Sequence, residues 1–254
     1  MVRTSQAAAL WTDKKARPML IQMVKPKRRQ VLLDINTQRD FLLVTGRACV
    51  RNHRRVLAHI RRVMAWARLN RIPIISTCQA PTNGLSCAEP NGLAKVSYTL
   101  VDNRIWFAPE SRTDLPVDLM RRYQQVILEK RTLDPFDEPR IDRLLTELKV
   151  AEFIIIGTTT EGEIQATALG LIQRHRLVTV VTDAIGCRDA NEAQMAIRKM
   201  QAKGVRLIET RRLAGISHLR TIGACPCQTC RKRTAKDDLE EPASFRTGQG
   251  WQLG

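Results

Sequence analysis

The chain has 254 residues, 43% of them hydrophobic, and a formal charge of +17. That length suits one α/β domain with tails better than two domains, and no apolar run approaches the roughly 20 residues needed to span a bilayer. The N-terminus lacks an apolar stretch ending in a small-residue cleavage site, so the expectation is a cytoplasmic protein without membrane contact.

Residues 1–29 read as a basic arm, because Pro18, Pro26 and a run of cations oppose any long element. A core strand follows over 31–36. A helix is predicted over 51–69, with Val56, Ile60, Val63, Met64 and Ala67 on one stripe and arginines opposite. The second strand falls at 72–77. Residues 79–125 read as an irregular insertion punctuated by Pro81, Gly84, Pro90, Gly92, Pro109 and Pro116, with a helix over 118–123. Strands are then predicted at 126–129, 153–156, 177–182 and 205–209, separated by helices at 140–148, 161–174 and 191–202. Strands alternating with helices imply a three-layer, doubly wound, mostly parallel six-stranded sheet of Rossmann-like type. This α/β domain is assigned to residues 30–212. Residues 213–254 form a C-terminal tail with a cysteine cluster, and its last portion reads as disordered.

The positive charge is concentrated in three segments. Residues 1–30 hold eight cations against Asp13, residues 51–71 hold seven arginines and no acid, and residues 203–233 hold eight cations against Glu209. Such a field attracts polyanions, so nucleic acid is a candidate partner through these basic segments. Solvated arginine faces give the same pattern. Aromatic residues make up only 4% of the chain, which disfavours a base-stacking single-strand binder.

In the tail, Cys225, Cys227 and Cys230 form C-x-C-x-x-C, and His218 lies upstream. Three thiolates and an imidazole make a possible structural zinc site, with unligated thiols as the plainer reading. No other cofactor is indicated, since the glycines form neither a dinucleotide nor a P-loop signature. His53, His59 and His175 read as surface residues. Cys78 reads as a buried strand-end thiol rather than a nucleophile.

Four short stretches carry the chemistry. At the end of the first strand, Asp34-Ile35-Asn36-Thr37-Gln38-Arg39-Asp40-Phe41 fits V-D-x-Q-x-D-F, with Asn36 at the aspartate position. Lys130 to Phe136 fits K-x-x-x-x-x-F. Residues 157–168, GTTTEGEIQATA, fit G-x-x-T-x-x-C-V-x-A-T-A with Glu163 at the cysteine position. Residues 180–184 fit V-x-D-A, which brings in Asp183. In this order and spacing the stretches resemble the isochorismatase-like cysteine hydrolases. The resemblance implies a catalytic set of aspartate, lysine and cysteine at positions 36, 130 and 163. In that family the aspartate takes the thiol proton, and the lysine stabilises charge. The cysteine attacks an amide or similar carbonyl, and backbone N–H groups of the first helical turn form the oxyanion hole. Some members cleave a vinyl ether and dispense with the cysteine. The resemblance also implies self-association into a homo-oligomer.

Here Asn36 cannot act as a base and Glu163 is a poor nucleophile beside a thiolate. The paired exchange keeps one carboxylate facing Lys130, so an ion pair between Glu163 and Lys130 is expected, with Asn36 hydrogen-bonded nearby. Asp34, two residues before Asn36, is a candidate displaced acid. Two readings stay open. One is a pseudoenzyme or small-ligand-binding protein, and the other is a hydrolase or lyase using Glu163 as acid or base. A nicotinamidase-type metal site is not expected, because residues 76–81 contain no histidine.

Overall fold

The computed structural model describes residues 30–80 and 93–214. Its seven strands form one sheet in the order β3-β4-β2-β1-β5-β6-β7. They are β1 (Gln30–Ile35), β2 (Ile74–Gln79), β3 (Arg104–Phe107), β4 (Gln125–Lys130), β5 (Glu152–Thr158), β6 (Val178–Gly186) and β7 (Arg206–Ile208). Every neighbouring pair is parallel. Six strands were expected; the seventh is β3, inside the stretch that reads as irregular. All four of its residues are half-buried, and among the described residues it pairs only with β4. A short edge strand of this kind leaves a weak sequence signal.

The helices are α1 (Arg39–Leu42), α2 (His53–Leu69), α3 (Leu119–Arg122), α4 (Pro139–Glu147), α5 (Gln165–Gln173), α6 (Ala190–Ala202) and α7 (Thr210–Ala214). Central strands covered on both faces read as nearly continuous apolar runs. All seven residues of β5 are buried. Val31, Leu33 and Ile35 of β1 pack with Ile141 and Leu145 of α4, Leu171 of α5 and Met200 of α6. Leu32 turns the other way, toward Val56, Ile60, Val63 and Met64 of α2. This is the period-2 alternation of a strand between two helical layers. The three-layer, doubly wound expectation is met.

Between β1 and β2 the chain moves toward one edge of the sheet, and from β5 onward it moves toward the other. The reversal lies between β1 and β5, where open α/β sheets form a crevice at the carboxyl ends of the strands. Gly157 sits in β5 opposite Ile35 with φ of +121°, and a Cβ there would lie 1.9 Å from the Ile35 carbonyl oxygen. Only glycine allows that approach. Among the described residues no helix is long and apolar enough to cross a membrane.

Candidate active site

Four adjacent strands deliver the site. Lys130 ends β4, Gln79 ends β2, Asn36 follows β1, and Thr158 ends β5. Asn36 adopts φ of +46°, a left-handed conformation that asparagine tolerates better than most residues. Its N–H donates to the Thr77 carbonyl at 2.9 Å, and its own carbonyl accepts from Thr158 Oγ1 at 2.9 Å. The side chain is fully buried, yet neither Oδ1 nor Nδ2 has a partner among the described residues. The expected hydrogen bonding of the Asn36 amide is therefore not found.

Lys130 is also fully buried. Its ammonium donates to Gln79 Oε1 at 3.2 Å and to the Thr132 carbonyl at 2.8 Å. Both acceptors are neutral, so burial pulls the amine below its ordinary pKa, with the negative charge of Glu163 opposing the shift.

Glu163 lies in a widened helical turn, Thr160–Ile164, that leads into α5. Widened turns of this type recur at functional sites. The Glu163 carboxylate folds back on the turn: Oε2 accepts from the Thr159 N–H at 3.0 Å and from Thr159 Oγ1 at 2.7 Å. The expected ion pair with Lys130 is absent. A carboxylate held by two local donors needs no distant partner, and Lys130 is satisfied by oxygens beside its own strand. Neighbouring contacts anchor the turn. Thr160 Oγ1 donates to the Gly186 carbonyl, and Glu161 Oε1 accepts from the Arg188 N–H.

Gln38 ties the strand ends together. Its amide accepts from the Gln79 N–H at 2.7 Å and donates to the carbonyls of Gln79 and Leu93. Phe136 packs under Gly170 of α5, and the Arg174 guanidinium lies 3.8 Å from the centre of its ring. Asp183, buried on β6, accepts from Thr210 N and Oγ1 at the start of α7, and sits 3.0 Å from His59 Nδ1.

Asp34 is not a displaced acid at the site. It lies on the α2 side of the sheet and forms an ion pair with Lys95 at 2.7 Å, both side chains fully buried. Ser76 Oγ donates to the same carboxylate oxygen at 2.8 Å, and Lys95 Nζ also donates to Thr37 Oγ1 at 2.6 Å. Lys95 escaped the sequence reading because it lies in the stretch with no periodicity. An aspartate in mid-strand was the available signal, since a buried charge requires a partner. Cys78 is fully buried and its thiol is pushed up to about 12 by desolvation, so it is inert at neutral pH.

A pronounced cavity of about 710 Å³ lies at the opposite edge of the sheet, lined by Val31, Ile72, Leu119, Met120, Leu144 and Leu148 among others. It is remote from positions 36, 130 and 163, which cluster at the carboxyl edge. Among the described residues no group of three or more His, Cys, Asp or Glu could hold a metal. The expected zinc ligands His218, Cys225, Cys227 and Cys230 lie outside the described residues.

Residues 30–212 match the model of the isochorismatase domain. No curated protein matches the chain by sequence. Several solved structures share the fold. An isochorismatase family protein from Desulfovibrio vulgaris superposes with a TM-score of 0.57 at 22% identity, over 75% of this chain and 98% of that one. The nicotinamidase of Staphylococcus aureus gives 0.56 at 13% identity, over 72% of this chain and 99% of that one. The MAR1 ribonuclease of Caenorhabditis elegans gives 0.53 at 18% identity, over 89% of this chain and 97% of that one.

Proposed function

The chain belongs to the isochorismatase family, and on that premise we propose that it is a non-catalytic member whose own Glu163 occupies the donors offered to a substrate oxygen in hydrolytic relatives. The observation that carries this reading is the bond from the Thr159 N–H to Glu163 Oε2 at 3.0 Å. An oxyanion hole works by presenting free, preoriented N–H groups to developing negative charge. Here a resident carboxylate already fills that role, from the very position where the family carries its nucleophile. Position 36, which would take the thiol proton, holds an amide without basicity at neutral pH. Lys130 is engaged by Gln79 and Thr132 and is closed off from solvent. Nucleophile and base are thus replaced, and the Thr159 N–H and Lys130 are already engaged.

The site retains one capacity, binding without turnover. A buried amide with neither atom partnered carries a desolvation cost that a small polar ligand or a water relieves. The test compares wild type, Lys130→Ala and the double variant Asn36→Asp/Glu163→Cys on a panel of amide and vinyl-ether substrates. Wild type is expected to match Lys130→Ala at background, and the double variant to gain a reactive thiol and measurable turnover. Wild-type turnover that Lys130→Ala abolishes overturns the proposal in favour of Glu163 acid–base chemistry.

A further inference from the structure

The two helical layers of the sheet differ in how their arginines are neutralised. On the α4–α5 side, Arg140 is paired with Glu110 and Asp114, Arg143 with Glu147, and Arg174 with Asp142. This mixed-sign arrangement is that of an ordinary solvated surface. The opposite layer is built differently. Helix α2 runs 17 residues without a carboxylate. Its buried stripe of Val56, Ile60, Val63, Met64 and Ala67 faces the sheet. Helical geometry then carries Arg54, Arg55, Arg61 and Arg62 to the outer side.

Arg54 and Arg61 form one rank and Arg55 and Arg62 a second, each pair seven residues and about 10 Å apart along the axis. Ala58 lies exposed between the ranks, whereas Ala65, seven residues further on, is covered by Ala214 of α7. Arg54 and Arg55 are exposed and Arg62 half-buried, and among the described residues none of the three carries an ion pair or hydrogen bond. Helix α7 packs along α2, with Ala214 against Ala65; its Arg211 is paired with Glu209 at 2.6 Å, and Arg212 is exposed.

We propose that the outer face of α2, extended by α7, binds the sugar–phosphate backbone of double-helical nucleic acid, without reading its sequence. Planar guanidinium forks suit phosphate oxygens, and spaced unneutralised cations on a firm helix gain from counterion release. A protein partner would call for apolar or aromatic anchors; here Trp66 is engaged against the α7 contact and the exposed residue between the ranks is Ala58. The scarcity of aromatics removes base stacking and leaves backbone contacts. This binding is independent of whether the site at the strand ends turns over a substrate.

The experiment uses the full chain and a short RNA duplex, with affinity measured by fluorescence anisotropy from about 50 to 200 mM salt. The variant Arg54→Gln/Arg55→Gln/Arg62→Gln tests the face. Arg198→Gln/Lys199→Gln/Lys203→Gln, on exposed positions around α6, controls for general charge, and Lys25→Gln/Lys27→Gln/Arg28→Gln/Arg29→Gln controls for the arm. Thermal melts check that each variant folds. The α2 variant is expected to bind at least about tenfold more weakly, with the log–log salt slope reduced by about two to three, and each control is expected to lose clearly less. An equal loss in the α6 variant, a loss confined to the arm variant, or no wild-type binding at about 50 mM salt overturns the proposal. So does displacement of the duplex by polyglutamate at matched charge, which would point to an acidic protein instead.

Discussion

Asp34 and Lys95 form a fully buried ion pair that no motif announces. Taking two charges out of water is costly, and the cost is recovered only while both partners and their hydrogen bonds remain. Ser76, Thr37, Thr99 and Gln125 supply those bonds in a continuous buried chain. Lys95→Met alone leaves the Asp34 carboxylate uncompensated, and a loss of about 3–5 kcal/mol is expected in urea denaturation. The double change Asp34→Asn/Lys95→Met is expected to recover most of it. Equal losses in single and double variants would show that the pair contributes through shape rather than charge. Lys95 also bridges to Gln38, so the pair fastens the segment beyond residue 93 over the ends of β1 and β2.

At the scale of elements, the turn from β5 into α5 decides what the site can do. Gly157 lets β5 pass against β1, the widened turn aims Glu163 back at Thr159, and Thr167 Oγ1 donates to the Glu163 carbonyl at 2.6 Å. A methyl group at 157 meets backbone, which cannot yield as a flexible side chain does, and φ of +121° is itself unfavourable for alanine. Gly157→Ala is expected to cost more than about 3 kcal/mol or to abolish folding. The measurement is the thermal midpoint beside Gly204→Ala, which also has positive φ, at +92°, but open space around its Cβ. Similar melting of the two variants would refute the argument from the β1–β5 approach.

For the whole molecule, pH is the lever that reports on the site. The Lys130 amine is shifted below its ordinary 10.5 by burial. Below its folded pKa the cost of holding a buried ammonium is fully present. That cost fades as pH rises from the folded value to 10.5, where the unfolded chain also gives up its proton. Lys130→Met also loses two hydrogen bonds, but that offset does not titrate. The stability of Lys130→Met relative to wild type is therefore expected to fall as pH rises through the folded pKa toward 10.5, in urea titrations at constant salt. A flat difference would mean that Lys130 is solvated in the native state. The same scale holds the electrostatic contrast between the outer face of α2, where Arg54, Arg55 and Arg62 have no partner among the described residues, and the paired surface of α4 and α5.

The sequence alone determined the alternation of strands and helices and the parallel three-layer sheet, and its motifs singled out positions 36, 130 and 163, which the fold sets at the ends of neighbouring strands. Those features rest on local periodicity and on motifs whose spacing survives in the chain. Edge strand β3 and Lys95 were not legible, because their burial depends on partners about 20 to 60 residues away in sequence and leaves no period behind. The expected Glu163–Lys130 pair failed for a related reason. Charge balance identifies groups able to pair, but the tertiary structure decides which donors come within reach. Thr159 in the adjoining turn and Thr132 beside the strand end satisfied each group locally.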